Sequence, residues 1–295
     1  MNWVDKPKTA LFGLLRRGVM GLRSTGIQRR WPLRQVYPII FQRLKPTEAD
    51  VLGHHLYLDA RDSLKLSLFG VYEPFETSLL ERYVRPGDVV LDIGANIGYY
   101  TLLLARLVGP TGTVHAFEPE PSNFALLEKN VRTNGYQNVV LHQAAVGEVS
   151  GSTQLFLSET NLGDHQLGGA GNGRRAVEVR QVNIDEVLTA EERPITFVKL
   201  DIQGAETGAI RGMERALRRA GRLTIFTELW PEGLRRCGSD AETYLGLLQS
   251  HALTLYEVDE DRGELRPFDP GNLLRTIAAA PLGDANLVAH RPGPA

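Results

Sequence analysis

Two apolar segments of this chain each end in a carboxylate, and glycines follow the first of them. Val89–Leu91 leads into Asp92 and a turn that contains Gly94 and Gly98, while the second segment ends at Glu118. Because the carboxyl ends of neighbouring parallel strands meet at one edge of a sheet, Asp92 and Glu118 are expected side by side in a crevice there. Crevices in that position bind ligands of the nucleotide type.

The glycine spacing separates this turn from the one that binds dinucleotide phosphates. That turn reads G-x-G-x-x-G, and the N-terminus of the following helix receives the anion. Here the spacing is G-x-x-x-G, and the preceding Asp92 would repel a pyrophosphate. The pattern favours a ligand with a cationic amine and no phosphate, such as S-adenosylmethionine, whose ribose hydroxyls would donate to Glu118. We expect Gly94 and Gly98 to let the backbone approach this cofactor, and both carboxylates to lie at solvent-accessible strand ends.

Three further residues near the same strand ends are candidates for cofactor binding. Asn96 is placed to cap the following helix and to line the methionine part of the cofactor. Pro119 follows Glu118 directly and is placed to cover a face of the adenine. Ala145 ends the predicted third strand, where a backbone N–H would meet the adenine edge.

Two more carboxylates end the predicted fourth and fifth strands and are candidates for catalysis. Asp201 and Glu228 should both face the crevice beside the methyl donor. Such a pair can hold a hard divalent cation such as Mg²⁺, or one member can act as a general base. His165 lies in a polar, glycine-rich insertion, and its ordinary pKa of about 6.5 makes it the other candidate base.

Four ordered motifs of this chain resemble the FkbM-type methyltransferases. They are Tyr72–Pro74 (YEP), Asp92–Thr101 (DIGANIGYYT), Ala116–Asn130 (AFEPEPSNFALLEKN) and Val198–Glu206 (VKLDIQGAE), and the resemblance covers residues 66–230. It implies a class I fold that uses S-adenosylmethionine, in a family whose members often methylate hydroxyls of sugars or natural products.

The resemblance also implies roles for residues that the spacing alone does not single out. Tyr72 and Glu73 would close over the cofactor. The usual K-x-D-x-E-G-x-E motif has Gln203 here in place of its first glutamate. That departure removes any charged role at position 203.

The function expected from these residues is O-methylation of a small-molecule or glycan acceptor, that is, a hydroxyl of a sugar, a glycolipid or a secondary metabolite. Two alternatives stay open. One is methylation of a macromolecule, either protein or nucleic acid, which the basic N-terminus favours. The other is a non-catalytic cofactor-binding scaffold, for which Gln203 is the support.

Alternating strand and helix patterns indicate how the chain positions these residues. The alternation predicts an α/β fold of the class I, Rossmann-like type, with a seven-stranded, mostly parallel sheet, helices on both faces and a final antiparallel hairpin. A strand-loop-strand insertion is expected after the third strand, and His55–Leu68 reads as short strands around a turn. The main predicted strands are 88–93, 113–118, 138–145, 195–200 and 223–229, and the main predicted helices are 76–84, 97–108, 121–133 and 205–219.

A basic N-terminal extension, residues 1–50, precedes the predicted methyltransferase domain, residues 51–290. Up to residue 45 the chain has ten lysines and arginines, and Asp5 is the single acid. A weakly amphipathic basic helix of this kind can touch an anionic membrane surface. The alternative, which we favour, is a solvated extension or one that packs in a homo-oligomer.

The composition excludes several other classes of protein. The 295 residues carry a net charge of -2, so the whole chain has no nucleic-acid signature. A single cysteine, Cys237, excludes an internal disulfide and a thiolate-built zinc site. No apolar run approaches the roughly 20 residues of a membrane-spanning helix. A cytoplasmic location is expected, with membrane association left open through the N-terminal extension.

Overall fold

The structure is a computed structural model that describes residues 12, 13, 17, 41, 43–158, 161–168, 173–279 and 283–293. The chain divides into two compact units, residues 1–72 and residues 73–295. Most of the basic N-terminal extension lies outside the described residues. The expected membrane contact through this extension therefore stays a prediction. The predicted domain boundary between residues 50 and 51 stays a prediction.

The described part of the first unit consists of a hairpin, a short helix and a small apolar cluster. Strands β1 (Glu48–Val51) and β2 (His54–Tyr57) pair antiparallel, and α1 spans Leu66–Phe69. The predicted strands over His55–Leu68 are therefore wrong beyond Tyr57. The carboxylate of Asp62 accepts from the backbone N–H groups of Leu66 and Ser67 at 2.9 and 3.2 Å, and this cap favours a helix there.

The second unit is built from alternating strands and helices, as predicted. Its strands are β3 (Val89–Ile93), β4 (Thr113–Phe117), β5 (Val139–His142), β6 (Ala145–Val146), β7 (Gly151–Leu157), β8 (Arg175–Val182), β9 (Ile195–Leu200), β10 (Leu223–Leu229), β11 (Thr254–Asp259), β12 (Glu264–Pro267) and β13 (Ala285–Arg291). Its helices are α2 (Pro74–Tyr83), α3 (Tyr99–Val108), α4 (Pro121–Thr133), α5 (Ile184–Val187), α6 (Glu206–Arg211), α7 (Glu214–Arg219), α8 (Pro231–Arg236), α9 (Ala241–Ser250) and α10 (Pro270–Ala279), with a short 3₁₀ turn at Leu188–Ala190.

The main sheet has the strand order of a class I methyltransferase, with one strand more than predicted. The order is β12-β11-β13-β10-β9-β3-β4-β5, and the five strands from β10 to β5 run parallel. The C-terminal strand β13 lies antiparallel between β10 and β11. The sheet has eight strands rather than seven because Glu264–Pro267, which the sequence analysis missed, pairs with β11.

The predicted insertion after the third strand forms a sheet of its own. Strands β7 and β8 pair antiparallel, and β6 joins β8 on its other side. The predicted third strand, 138–145, is consequently wrong at its end. It stops at His142, and Ala145 begins a strand of the second sheet.

The helix predicted over 205–219 is two helices, α6 and α7, because a distant residue caps the second of them. The carboxylate of Asp185 accepts from the backbone N–H groups of Arg215 and Ala216, both at 2.8 Å. These are among the N–H groups that a helix start leaves without an intrahelical partner. Asp185 lies about thirty residues earlier in the chain, so a local sequence window cannot reveal this cap.

The turn between β3 and α3 requires glycine because of the protein's own contacts. Gly94 has a φ of 88°, and a Cβ there would lie 2.0 Å from the carbonyl oxygen of Asp201. Gly98 has a φ of 95°, and its Cβ would lie 2.8 Å from Leu127 of α4. The structure thus gives these glycines a reason other than the predicted approach to a cofactor, since they let β3, β9 and α4 meet.

No helix in the described ranges combines the length and the apolar character that crossing a membrane requires.

Gly94→Ala should lower the free energy of unfolding by about 2–5 kcal/mol, because it adds a backbone clash to the cost of a left-handed conformation. Gly135→Ala is the matched control, since Gly135 has a φ of 75° and a Cβ there would meet nothing within 4 Å. The control should cost only about 1–2 kcal/mol. Urea unfolding of the three proteins measures both values, and equal losses would contradict the close approach to Asp201.

Candidate active site

Asp92 and Glu118 lie at neighbouring strand ends, as predicted, but both are buried rather than accessible to solvent. Asp92 is 1% exposed and Glu118 is 5% exposed. Asp92 accepts a hydrogen bond from the Thr101 hydroxyl at 2.5 Å. The two oxygens of Glu118 accept from the backbone N–H groups of Asn96 and Glu120, at 2.9 and 2.8 Å. The expectation of solvent access was wrong because the turn and α3 cover both strand ends.

Burial sets the charge state of these two carboxyl groups. It raises the pKa of Asp92 to about 6, against the lowering effect of the Thr101 hydrogen bond and the Lys199 charge. It raises the pKa of Glu118 to about 7, against the lowering effect of its two backbone hydrogen bonds. Both groups therefore titrate close to neutral pH. A bound ligand that offers hydroxyl donors or positive charge would favour their ionised forms.

Asn96 lies in the same turn, and no group among the described residues donates to its side-chain oxygen. Its φ is 51°, and its side-chain oxygen is buried without a hydrogen-bond partner. Asn96 does not cap α3 as predicted, because Gly98 occupies the N-cap position and the oxygen of Asn96 accepts no hydrogen bond from the described part of the chain. Buried amide oxygens are normally paired, so the oxygen of Asn96 suits the donor of a ligand.

The polar insertion lies against the turn between β3 and α3. The side-chain amide of Asn123, in the first turn of α4, donates to the carbonyl of Leu162 at 2.9 Å. A Cβ on Gly163 would lie 3.2 Å from the side-chain nitrogen of Asn96. The loop of residues 161–168 therefore lies against the turn that carries Asp92 and Asn96.

The remaining predicted cofactor residues lie in three different settings. Pro119 is half-buried directly after Glu118, at the end of β4. Ala145 is buried in the second sheet opposite Gln181, away from the strand end where it was predicted. Tyr72 is the last residue of the first unit, and Glu73 begins the second.

Glu73 is tied into the second unit by two side chains. The Tyr100 hydroxyl donates to one of its oxygens at 2.8 Å, and the Asn286 amide donates to the other at 2.9 Å. Its backbone adopts a φ of 43°, a conformation that non-glycine residues rarely hold without a compensating contact. Burial, and then the charge of Glu76, raise the pKa of Glu73 to about 7.

Lys199 is the residue at the centre of the site that the sequence analysis did not single out. It is 2% exposed, and its ammonium lies 2.9 Å from Glu76 and 3.7 Å from Asp201. It also lies 4.9 Å from the ring centroid of Tyr100, a cation–π distance. Burial acts to lower the pKa of Lys199, but the carboxylates of Glu76, Asp201 and Glu73 raise it well above its ordinary value.

A signal for Lys199 was present in the sequence. The strand Ile195–Leu200 is otherwise apolar or neutral, and a lysine inside a buried parallel strand is rare unless it is paired. The partners Glu76 and Tyr100 come from two other elements, α2 and α3, so local patterning does not identify them.

Asp201 and Glu228 meet at the ends of β9 and β10, as predicted, and Gln203 joins them. The side-chain nitrogen of Gln203 donates to Asp201 at 3.1 Å and to Glu228 at 2.9 Å. Gln203 holds this position with a φ of 55°. The residue that departs from the family motif therefore contributes a bridging donor between two acids.

The two carboxyl groups of this pair differ in their environments. Burial, the neighbouring charge of Asp201 and a hydrogen bond with Asp284 raise the pKa of Glu228 well above its ordinary value. Asp201 is about a quarter exposed and has the Lys199 ammonium beside it. These effects favour the protonated form of Glu228, which makes Asp201, with the Lys199 ammonium beside it, the member of the pair that is suited to accept a proton.

The expected divalent cation finds no support in this geometry. Within the described ranges, no group of three or more histidine, cysteine, aspartate or glutamate side chains is arranged to hold a metal ion. Between Asp201 and Glu228 lies the amide nitrogen of Gln203, which is a donor and not a metal ligand.

His165 is half-buried in the polar insertion. Its Nδ1 accepts a hydrogen bond from the backbone N–H of Ser158 at 3.0 Å, so the ring helps to hold the loop. This bond leaves the proton of a neutral ring on Nε2. A catalytic role for His165 stays a prediction.

Comparison with known proteins supports the family resemblance. The profile of the methyltransferase FkbM domain matches residues 92–247. The 31-O-demethyl-FK506 methyltransferase FkbM of Streptomyces tacrolimicus is 35% identical over 154 residues, which cover 49% of this chain and 57% of that protein. Methyltransferase 1 of Beauveria bassiana is 27% identical over 145 residues, which cover 42% of this chain and 58% of that protein. The chain thus spans less than two thirds of the length of these two relatives.

Among solved structures, a putative rRNA methylase from Clostridium thermocellum matches with a TM-score of 0.46 at 14% identity, covering 75% of this chain and 95% of that one.

The match to the FkbM domain runs from Asp92 past Glu228 and takes in more than half of the chain. This confirms the resemblance found in the sequence, and the protein belongs to the FkbM family of S-adenosylmethionine-dependent methyltransferases.

Proposed function

We propose that this protein methylates a hydroxyl group of a sugar, a glycolipid or a secondary metabolite, and that Asp201 accepts the hydroxyl proton. The observation that carries this proposal is the bridge that Gln203 makes between Asp201 and Glu228. Bound in the neighbouring crevice, S-adenosylmethionine supplies a methyl group on a cationic sulfonium.

The crevice residues suit this cofactor by the chemistry of their free acceptors. From the described residues, Asp92 accepts one hydrogen bond and Glu118 accepts two, which leaves lone pairs on both, and no described group donates to the oxygen of Asn96. Ribose hydroxyls and an ammonium group are the donors that such acceptors bind most strongly. The negative charge of the crevice also favours a cation over a phosphate.

Asp201 is suited to act as a base because its neighbours have complementary roles. Alkyl hydroxyls ionise far above neutral pH, so a positioned base assists their methylation. Lys199 compensates the charge of Asp201 before the proton arrives. Gln203 holds the carboxylate in place, and the raised pKa of Glu228 favours its neutral form, which reduces the repulsion between the two acids.

The acceptor class rests on the relative and on the insertion. The Streptomyces relative is named for the methylation of an oxygen of the FK506 precursor, a natural product of the class expected here. In this chain the loop of residues 161–168 is polar and half-buried next to the crevice. Polar groups on a loop above a reactive centre suit an acceptor that carries hydroxyls.

Asp92→Asn should weaken S-adenosylmethionine binding and, unusually, stabilise the cofactor-free protein. The pKa of Asp92 is about 6 in the folded state and about 4 in an unfolded chain. Between these values the folded state binds more protons, so the stability that Asp92 contributes falls as pH rises through this window. Asparagine removes that penalty, which is about 1–3 kcal/mol at neutral pH. It also removes the charge-assisted hydrogen bond that Asp92 is proposed to make with the cofactor, which is of similar size.

Calorimetry of cofactor binding at neutral pH and thermal unfolding between about pH 4 and 7 test both halves of this prediction. Glu178→Gln is the control, because Glu178 is an exposed carboxylate on β8, in the second sheet. An Asp92→Asn variant with native affinity and a native pH dependence of stability would overturn the assignment of Asp92 to the cofactor.

Asp201→Asn should keep cofactor affinity and lower turnover by about 10²–10⁴, the usual contribution of a positioned base. The measurement is S-adenosylhomocysteine release from a panel of sugar, glycolipid and polyketide hydroxyl acceptors, with Glu178→Gln again as control. A chelator should leave turnover unchanged, since the proposed base needs no cation. Unchanged turnover in Asp201→Asn would contradict the base. Turnover only with protein or RNA would overturn the acceptor class, and cofactor binding without turnover on any acceptor would indicate a scaffold.

A further inference from the structure

A second pocket lies at the opposite end of the sheet from the methyl-transfer crevice. It has a volume of about 360 Å³, and its lining includes Arg82, Arg85, Arg222, Tyr83, Tyr256 and His290. Arg222 directly precedes β10, whereas Glu228 near the end of that strand belongs to the crevice. At the usual rise per residue the two places are about 20 Å apart along the strand. No step of the proposed methyl transfer uses this pocket.

The pocket carries more positive than negative charge. Arg222 pairs with Asp88 at 2.6 Å and donates to the carbonyl of Tyr83 at 2.7 Å, so its guanidinium is fixed. Arg82 and Arg85 are exposed, and no carboxylate among the described residues forms an ion pair with either. Three guanidinium groups therefore face one carboxylate, which leaves two arginines available to an anion.

The inner wall is aromatic, with Tyr83 buried and His290 half-buried. The Tyr83 ring lies 5.1 Å from the His290 ring, and Nδ1 of His290 lies 2.9 Å from the hydroxyl of Thr224. The Arg82 guanidinium lies 5.4 Å from the Tyr83 ring centroid. Burial, and then the charges of Arg222 and Arg82, lower the pKa of His290. The imidazole is thus neutral at neutral pH. The effect of the two arginines on its pKa shows that the pocket has a positive electrostatic potential, which a bound anion would reduce.

We propose that this pocket binds a phosphate group, with Arg82 and Arg85 as its ligands and Arg222 as the fixed charge behind them. Guanidinium groups present pairs of N–H donors that match the oxygens of phosphate, and their charges suit a dianion. The volume exceeds that of inorganic phosphate and falls in the range of small-molecule sites. The extra space, beside Tyr256 and Leu265, would hold the organic part of a phosphorylated metabolite or of a lipid headgroup.

The test is calorimetric titration with inorganic phosphate at constant ionic strength, on the full chain. The double variant Arg82→Gln/Arg85→Gln should bind phosphate at least about tenfold more weakly, the factor expected for one hydrogen bond to a charged group. The control is Arg132→Gln, because Arg132 is an exposed arginine of α4 that pairs with Glu128, and it should bind as the native protein does. S-adenosylmethionine affinity should be native in all variants, which shows that they are folded.

Equal phosphate affinity in the native protein and the double variant would overturn the proposal, and so would the absence of phosphate binding in the native protein. The two sources of phosphate are separated by co-sedimentation with vesicles of phosphatidylglycerol, with phosphatidylcholine vesicles as the reference. Vesicle binding that the double variant loses identifies a lipid headgroup. Vesicle binding that is absent, or that the double variant keeps, identifies a soluble phosphate compound, provided that the titration shows the expected loss. Failure of this test leaves the methyl-transfer assignment untouched, because the two sites share no residue.

Discussion

One buried ammonium group, that of Lys199, makes the acidic edge of this sheet compatible with a folded protein. Unpaired buried carboxylates would cost several kcal/mol each, and Glu76 and Asp201 share this one cation at 2.9 and 3.7 Å. The Tyr100 ring covers the same ammonium, and the Tyr100 hydroxyl holds Glu73. Helices α2 and α3 and the end of β9 therefore converge on a charge that lies in the middle of the sheet.

The carboxyl groups at the strand ends are of two kinds, which differ in burial and in the charges around them. Asp92 and Glu118 are buried with pKa values raised to about 6 and about 7, which suits groups whose charge a cationic cofactor completes. On the acceptor side, the raised pKa of Glu228 favours its protonated form, and Asp201 is partly open to solvent. Gln203 contributes to this difference, because an acid at its position would repel the carboxyl groups of both Asp201 and Glu228. The departure from the family motif is thus a change in how the acids are held, with a neutral donor in place of a charge.

Local patterns were sufficient wherever neighbours in the chain decide the outcome. The alternation of apolar runs and helical periodicity gave the parallel order, and the apolar run before Asp92 located β3 within one residue. Patterns failed where a distant partner decides. The helix predicted over 205–219 breaks because Asp185 caps Arg215 and Ala216. The edge strand Glu264–Pro267 was missed because it is short and polar, and its pairing with β11 defines it.

The sequence by itself determined the family, the class I fold and the identity of the acids at the strand ends, because residue type and spacing follow the chain. Only the tertiary structure decided what those acids can do. Burial is a property of all the elements packed around a residue, so the closed settings of Asp92 and Glu118 and the free oxygen of Asn96 were not readable from their neighbours. The bridge through Gln203 and the pairing of Lys199 depend on side chains that approach from separate strands and helices, and distances of that kind arise only when the chain has folded.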